Sequence, residues 1–244
     1  HAIDFIKNEG LSGAMYNTYG LGGPLIFGLY PDYKVFIDGR VPVHGAQMYT
    51  RIIEFEKNPT FEEWHALVEE YGLTFAVIKN DRRRLASIIA AANGGWPLVY
   101  WDSRVSIYAQ PTAAHRELID EHAYEMIDYY TALDAALKWK SLSSAKRELV
   151  TGELIRNLDE NPRSLQSLLS LVYIMFVEKD YDRAFELARR GLDINPRQGR
   201  LHMVLGQIYL SRGEEKNAER EFRKAAELNP EFGRMLEKTA GRSD

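Results

Sequence analysis

The sequence predicts a two-part fold: a small mixed-sheet α/β domain over residues 1–112, followed by an all-α array of helical hairpins over residues 113–244. In the first part, segments typical of strands and of helices alternate, which favours a layered sheet with helices on its faces. In the second part, three Asn-Pro dipeptides are spaced 34 residues apart, at Asn161-Pro162, Asn195-Pro196 and Asn229-Pro230. This period is typical of stacked helix-turn-helix units, which bury their apolar faces only against their neighbours.

The elements of the first part follow from local patterns. Five strands are expected, at Ala14–Tyr16, Lys34–Ile37, Phe75–Ile78, Leu98–Trp101 and Val105–Tyr108. The last two flank Asp102-Ser103 and therefore predict a hairpin. Thr60 to Glu63 forms a capping-box pattern that opens a helix running through Tyr71 and ending at Gly72. A second helix is expected over Arg83–Ala92, before a glycine pair.

The second part contains two clear repeats in the same register, and the later one has the more complete pattern. Between Pro196 and Pro230, small and large apolar residues alternate at Leu205, Gly206, Tyr209, Ala218, Phe222 and Ala225. This pattern resembles the tetratricopeptide repeat (TPR), with His202 at a position where a tryptophan is usual. We expect clear repeats at 165–198 and 199–232, with helices at about 164–177, 181–193, 198–211 and 215–228.

A third, weaker repeat is expected in front of the two clear ones, because such arrays usually need at least three units to be stable. It would cover about residues 124–162, with Tyr124–Trp139 as its first helix and Ala145–Leu158 as its second. The tail after Pro230 would form a short capping helix through Phe232, Met235 and Leu236.

The resemblance to TPR proteins implies a peptide-binding groove. Its concave face would be lined by the second, fifth, ninth and twelfth residues of each first helix: Gln166, Leu169, Tyr173, Phe176, Arg200, Met203, Gln207 and Leu210. The set of basic and amide side chains with which TPR adaptors hold a C-terminal carboxylate is missing here. We therefore expect a protein partner with an apolar or amphipathic segment. Alternatively, this face packs on the chain's own front helices, on its own membrane domain or on a twin subunit.

Composition and motifs argue against catalysis within this chain. The net charge of −4 gives no reason to expect nucleic acid, and the absence of cysteine excludes disulfides and thiolate chemistry while leaving cytosol and bacterial periplasm open. The histidines show no metal-ligand spacing, and no activated nucleophile is evident. The run Gly20-x-Gly22-Gly23 lacks phosphate-loop spacing and is attributed to close backbone packing. No catalytic residue, metal or cofactor is expected.

Asp38-Gly39-Arg40 follows an expected strand and has two readings. Open α/β sheets place ligand sites just past the ends of their strands, which favours a binding role. The other interpretation is an ion pair that pins a turn.

No stretch of ~20 apolar residues occurs that could span a bilayer. The chain opens on His1-Ala2 rather than on methionine, which we interpret as the start of a piece of a longer protein.

One set of motifs in the first part resembles a bacterial membrane-protein family. The motifs are Asn17, Gly20, Gly22-Gly23 and Leu25-Ile26, then Tyr30-Pro31, Val35–Arg40 and Trp96–Asp102. Members have many N-terminal transmembrane helices, look like C-type glycosyltransferases that use lipid-linked sugars, and carry a soluble C-terminal domain that in some continues into TPRs. The resemblance implies an extracytoplasmic (periplasmic) tail of a polytopic protein, joined to the membrane only through segments outside this chain.

The same resemblance implies a role for four polar residues. In oligosaccharyltransferase catalytic subunits, a looser analogy, the soluble domain begins with an aromatic and glycine motif that helps to hold the acceptor peptide. By that analogy Asn17, Tyr19, Asp38 and Arg40 would contact an acceptor, although the Trp-Trp-Asp motif of those subunits is not present. The full-length protein would then be a glycosyltransferase with its catalytic carboxylates outside this chain.

Overall fold

The protein is described by a computed structural model that covers residues 1–40, 42, 45–91 and 94–234. It divides into two compact units, the first ending at Tyr129 and the second beginning at Tyr130. The helix Arg116–His122 lies in the first unit, although it follows residue 112, where the sequence suggested a boundary.

The first unit is built on a mixed sheet of four strands in the order β1-β2-β4-β3. The strands are β1 (Ala14–Asn17), β2 (Leu73–Lys79), β3 (Leu98–Trp101) and β4 (Val105–Ala109). β1 pairs with β2 in parallel, whereas β4 runs antiparallel to both β2 and β3. The hairpin expected around Asp102 is therefore present, and its turn is held by the Asp102 carboxylate, which accepts from the backbone N–H of Val105 at 2.9 Å.

Six helices of the described part of the first unit accompany the sheet. They are α1 (Ala2–Asn8), α2 (Gly22–Leu29), α3 (Ala46–Lys57), α4 (Phe61–Tyr71), α5 (Arg83–Ala91) and α6 (Arg116–His122). α4 begins and ends as the sequence predicts. The Thr60 side chain accepts from the backbone N–H of Glu63, and Gly72 stops the helix in a left-handed conformation, with φ of +60°.

The segment Lys34–Ile37, expected to be a strand, is not one. It runs beside the edge strand β1 but is held there by a side chain instead of a backbone ladder. The Asn17 amide oxygen accepts from the N–H of Phe36 at 2.8 Å, and its amide nitrogen donates to the carbonyl of Ile37 at 2.8 Å. A local pattern could not reveal this, because the amide that replaces the backbone partner comes from Asn17, outside the segment.

Close packing explains only one glycine of the Gly20-x-Gly22-Gly23 run. A Cβ atom at Gly22 would lie 2.3 Å from the carbonyl oxygen of Ile37, whereas Gly20 and Gly23 have nothing within 4 Å. The start of α2 therefore packs directly on the backbone before Asp38, and only glycine fits at that contact.

The second unit is all-helical within its described residues. Its helices are α7 (Ala132–Leu137), α8 (Ser144–Glu160), α9 (Leu165–Val177), α10 (Tyr181–Ile194), α11 (Gly199–Ser211) and α12 (Glu215–Leu228). α9 pairs with α10 and α11 with α12, while α9 also packs against α7 and α11. The four helices expected in the two clear repeats are present, and each begins and ends within one residue of the predicted position.

The first helix of the degenerate repeat is much shorter than the expected Tyr124–Trp139. Tyr124 belongs to the sheet side of the chain, since its backbone N–H donates to the Leu98 carbonyl at 2.8 Å in an isolated antiparallel bridge. α7 therefore begins only at Ala132. The second helix, α8, forms as expected. After Pro230, residues 230–234 are helical, and Met235 and Leu236 lie outside the described residues.

Replacing Gly206 by alanine is expected to destabilise the second unit by about 1–3 kcal/mol, because a Cβ there overpacks the hairpin of α11 and α12. That atom would lie 2.4 Å from the Phe222 ring. Urea unfolding followed by circular dichroism measures the change. Gly152→Ala is the matched control: Gly152 is exposed on α8 and a Cβ there meets nothing within 4 Å, so alanine should be neutral or should stabilise the helix. Equal effects of the two substitutions would contradict the packing explanation.

Candidate functional site

The predicted groove residues lie on the first helices of the two clear repeats. Gln166, Leu169, Tyr173 and Phe176 belong to α9, and Arg200, Met203, Gln207 and Leu210 belong to α11. Within each helix these positions are three or four residues apart, so they share one face. We call these eight residues the groove face.

The side chains of the groove face differ in how much surface they offer. Leu169 is 4% exposed and belongs to the apolar core between the hairpins, so it contributes to packing rather than to an open surface. Tyr173, Phe176 and Met203 are half-buried, and Leu210 is 51% exposed. An exposed leucine beside three half-exposed large side chains gives this face an apolar character that a partner could cover.

The polar members of the groove face carry a single charge. Gln166 is half-buried, whereas Gln207 and Arg200 are exposed, and only Arg200 is ionised. Phe176 is supported from the neighbouring helix by Tyr181, with ring centroids 5.6 Å apart. The face thus carries two aromatic side chains and a single charge.

A buried histidine–carboxylate hydrogen bond that the repeat pattern did not predict lies inside the last hairpin. His202 of α11 is 5% exposed, and its Nδ1 lies 2.7 Å from a carboxylate oxygen of Glu221 on α12. Its Nε2 lies 3.0 Å from the carbonyl of Pro196. The other oxygen of Glu221 accepts from Arg220 and Lys224, each at 3.3 Å. The residue in the usual tryptophan position therefore joins both helices to the turn before them.

The charges around Glu221 alter its titration. Burial raises the pKa of the Glu221 carboxyl, but the hydrogen bonds from His202 and Lys224 lower it by more, so its pKa lies below the ordinary value. A signal in the sequence could have indicated this pair: Glu221 lies three residues after Ala218 and four before Ala225, on the apolar face of α12.

A second candidate site lies where the parallel strands β1 and β2 end, and it gathers the four predicted acceptor residues. Asn17 is the last residue of β1, and Thr18 after it accepts from the backbone N–H of Lys79 at the end of β2. Asn17 is fully buried and its amide is occupied by the backbone of residues 36 and 37. Its role in this structure is to hold the neighbouring segment.

The other three predicted acceptor residues form the rim of this strand-end cluster. The Arg40 guanidinium donates to both oxygens of Asp38, at 2.9 Å and 2.6 Å, and its backbone N–H also bonds that carboxylate. The Asp38 side chain is 2% exposed and that of Arg40 is 60% exposed, so the pair pins the turn while presenting the arginine. Tyr19 contacts Tyr49 edge to face, and their hydrogen bond raises the pKa of the Tyr19 hydroxyl.

Glu56 completes the strand-end cluster and was not singled out by the sequence. Its carboxylate accepts from the backbone N–H of Tyr19 at 2.6 Å and contacts Arg82 at 3.4 Å. Burial raises the pKa of this carboxyl, against the lowering effect of those two donors. The missed signal is its position: Glu56 shares the buried face of α3 with Ile52 and Phe55.

Across residues 1–40, 42, 45–91 and 94–234, no group of three or more metal-binding side chains comes together. In the same ranges no helix combines the length and apolar character needed to cross a membrane.

Comparison with known proteins identifies the repeat. Residues 199–232, which include α11 and α12, match the family described as tetratricopeptide repeat, so the chain contains a TPR. No curated protein gives a significant match. Two solved structures are similar over 48% of this chain: MamA MSR-1 C2, at 19% identity, 65% of that chain and a TM-score of 0.36, and the Yersinia enterocolitica type III secretion translocator chaperone SycD (alternative dimer), at 20% identity, 92% and 0.38.

Those two similarities are weak. The chain covers 65% of the MamA structure, slightly less than two thirds of its length. With TM-scores of 0.36 and 0.38, neither structure contributes to the functional argument, which rests on the repeat and on the surface of the helices that form it.

Proposed function

We propose that this chain is a non-catalytic protein-interaction scaffold whose groove face binds an apolar or amphipathic peptide, or a helix of a partner protein. The supporting observation is the set of partly exposed large side chains, Tyr173, Phe176, Met203 and Leu210, on the first helices of two consecutive repeats. Helical repeats stack into an array whose exposed face is extended, which suits an elongated ligand.

The chemistry of the groove face favours an apolar ligand over an acidic one. Full burial of one large apolar side chain contributes about 1.5–3 kcal/mol, so a few anchors can offset part of the cost of association. Arg200 is the single charge of the face and lies near its beginning, one turn before Met203. An amphipathic helix could place its apolar stripe on this face and leave its polar side in water.

The test replaces Tyr173 and Met203 by glutamate in one variant, and the exposed Leu210 by aspartate in another. Both variants should lose binding of a fluorescein-labelled amphipathic helix made of leucine and glutamine, by about ten-fold or more, because an unpaired charge would be buried in the complex. Fluorescence anisotropy measures the affinity. Leu210→Asp is included because a residue 51% exposed can be changed without disturbing the core.

The matched control adds the same charge elsewhere. Gln47→Glu with Thr50→Glu changes two exposed residues of α3 in the first unit and should leave binding unchanged. Thermal denaturation of each variant confirms that the helices remain folded. Unchanged affinity in both groove-face variants would contradict the proposed function.

A second candidate function follows from the strand-end cluster. We propose as the alternative that the first unit orients an acceptor for a lipid-linked-sugar glycosyltransferase, with this chain on the extracytoplasmic side of a larger membrane protein. The observation in its favour is that Tyr19 lies just past the carboxyl end of β1, which pairs in parallel with β2, a usual place for ligands in open sheets. Its hydroxyl lies close to Gly39, between Asp38 and Arg40, since a Cβ atom at Gly39 would be 3.9 Å from it. Asp38 would act by positioning Arg40.

Replacing Arg40 or Asp38 by alanine in the full-length protein should reduce sugar transfer by about ten-fold or more, since a bidentate charged contact is lost or misplaced. Sugar transfer to the acceptor is measured in membranes. Circular dichroism of this chain checks that each variant remains folded. Asp120→Ala, at an exposed position of α6, is the control. Normal transfer by both variants would contradict this alternative and leave the groove-face proposal untouched.

A further inference from the structure

The long helix α8 exposes a stripe whose centre is apolar. At that centre lies Gly152, where a Cβ atom would meet nothing within 4 Å. Leu149, 36% exposed, and Ile155, 49% exposed, lie on either side of it. Positions three or four residues apart share one side of a helix, so the stripe continues toward both ends of α8. We call it the α8 face, and its members are Ala145, Glu148, Leu149, Gly152, Ile155, Arg156 and Asp159.

The equivalent helices of the two clear repeats have charged surfaces instead. α10 and α12, like α8, are the second helices of their repeats. Every exposed residue of α10 and of α12 is an aspartate, a glutamate, a lysine or an arginine. Such side chains suit a surface that stays in water, whereas exposed leucine and isoleucine around a glycine suit a surface that is covered. The α8 face therefore has the character of an interface.

The α8 face is complementary to a second copy of itself. Glu148 lies four residues before Gly152, and Arg156 lies four residues after it. If two α8 helices cross antiparallel at Gly152, Glu148 of each copy comes to the level of Arg156 of the other. In the same way Leu149 comes to the level of Ile155, since each lies three residues from Gly152. Two-fold symmetry forms each contact twice, so opposite charges meet at both ends of an apolar centre.

We propose that two copies of this chain associate through their α8 faces, as an antiparallel pair with two-fold symmetry about Gly152. The distance between packed helices depends on the side chains at the contact, so a glycine there lets the two axes approach closely. A parallel pair would set Glu148 against Glu148 and Arg156 against Arg156, so the charges select the antiparallel arrangement. The α8 face and the groove face lie on different helices, and the proposal does not depend on the proposed function.

The length of α8 sets the strength that we expect of this association. Its seventeen residues span about 25 Å. One pair of helices of this length buries less than the roughly 1,200–2,000 Å² of a stable protein interface. The pair should therefore be a weak dimer that forms as the concentration of the chain rises.

Sedimentation equilibrium of the whole chain over a wide range of concentrations measures the association. The wild type should fit a monomer–dimer equilibrium. Ile155→Glu should weaken the dimer by about ten-fold or more, because it buries an unpaired charge in each copy. Leu210→Glu is the matched control, since Leu210 is 51% exposed but belongs to the groove face. A monomer at all concentrations, or a dimer that is lost in Leu210→Glu and kept in Ile155→Glu, would overturn the proposal.

Disulfide trapping tests the antiparallel arrangement, because the chain contains no cysteine of its own. Gly152→Cys should give a covalent dimer on mild oxidation, since the two-fold axis brings residue 152 of both copies within disulfide reach. Ala145→Cys alone should not, because the two residues 145 would lie about 20 Å apart along the helices. A mixture of Ala145→Cys and Asp159→Cys chains should cross-link. Circular dichroism checks that each variant is folded. Covalent dimers of Ala145→Cys alone, or none of Gly152→Cys, would contradict the antiparallel pair.

Discussion

Asn17→Ala should lower the free energy of unfolding of the first unit by about 3–5 kcal/mol, because it leaves several buried backbone groups without partners at about 1–3 kcal/mol each. The amide of Asn17 bonds the carbonyls of Thr18 and Ile37 and accepts from the N–H of Phe36, and the side chain is fully buried. Without this amide the segment beside β1 loses the hydrogen bonds that hold it next to the strand, so it should detach.

The measurement is urea unfolding followed by tryptophan fluorescence, since Trp64, Trp96 and Trp101 all lie in the first unit. Asn8→Ala is the control, an exposed asparagine at the end of α1 whose loss should change stability by less than about 0.5 kcal/mol. The amides of Phe36 and Ile37 should also lose hydrogen-exchange protection in the Asn17 variant. Retained protection there would contradict the assigned role.

Glu221→Gln should destabilise the last hairpin by about 1.5–3 kcal/mol at neutral pH, the cost of losing hydrogen bonds to a buried carboxylate. The carboxylate is 5% exposed and bonds His202, Arg220 and Lys224. The glutamine amide can replace only part of this set, and it leaves the cations without a counter-charge.

The effect of Glu221→Gln should depend on pH in a defined direction. The folded-state pKa of Glu221 is depressed, so its stabilising contribution is complete above the unfolded-state pKa of about 4.3 and is lost as pH falls through the folded value. Wild type and variant should therefore converge in acid. Hydrogen exchange of the α11 amides at several pH values measures this, with exposed Glu227→Gln as the control on the same helix. A difference that stays constant with pH would rule out the carboxylate as its cause.

Local patterns were sufficient for most of the helices and for the hairpin. The four repeat helices form where the Asn-Pro period and the apolar spacing place them, because each turn must break the helix at the same point of the repeat. The cap at Thr60 and the stop at Gly72 are likewise properties of a few neighbouring residues. The groove face could be listed from the same register, since helical spacing alone decides which positions share a face.

Long-range contacts decided the features that local patterns missed. Lys34–Ile37 has a strand-like sequence, but Asn17, far away in the chain, binds its backbone and holds it beside the sheet. The sequence pattern predicts a helix at Tyr124, yet the backbone of Tyr124 pairs with Leu98. Leu169 is buried because several helices pack around α9. The spacing of apolar residues within one helix does not show how many other helices surround it.

The sequence by itself determined the repeat period, the helices that carry it and the chemical character of the groove face, because these depend on contacts between residues close in the chain. The tertiary structure decided two other things: the His202–Glu221 pair and the strand-end cluster around Glu56. In each, groups from distant segments satisfy one another's hydrogen bonds. The energy of a buried polar group depends on which partner reaches it, and only the folded chain specifies that partner.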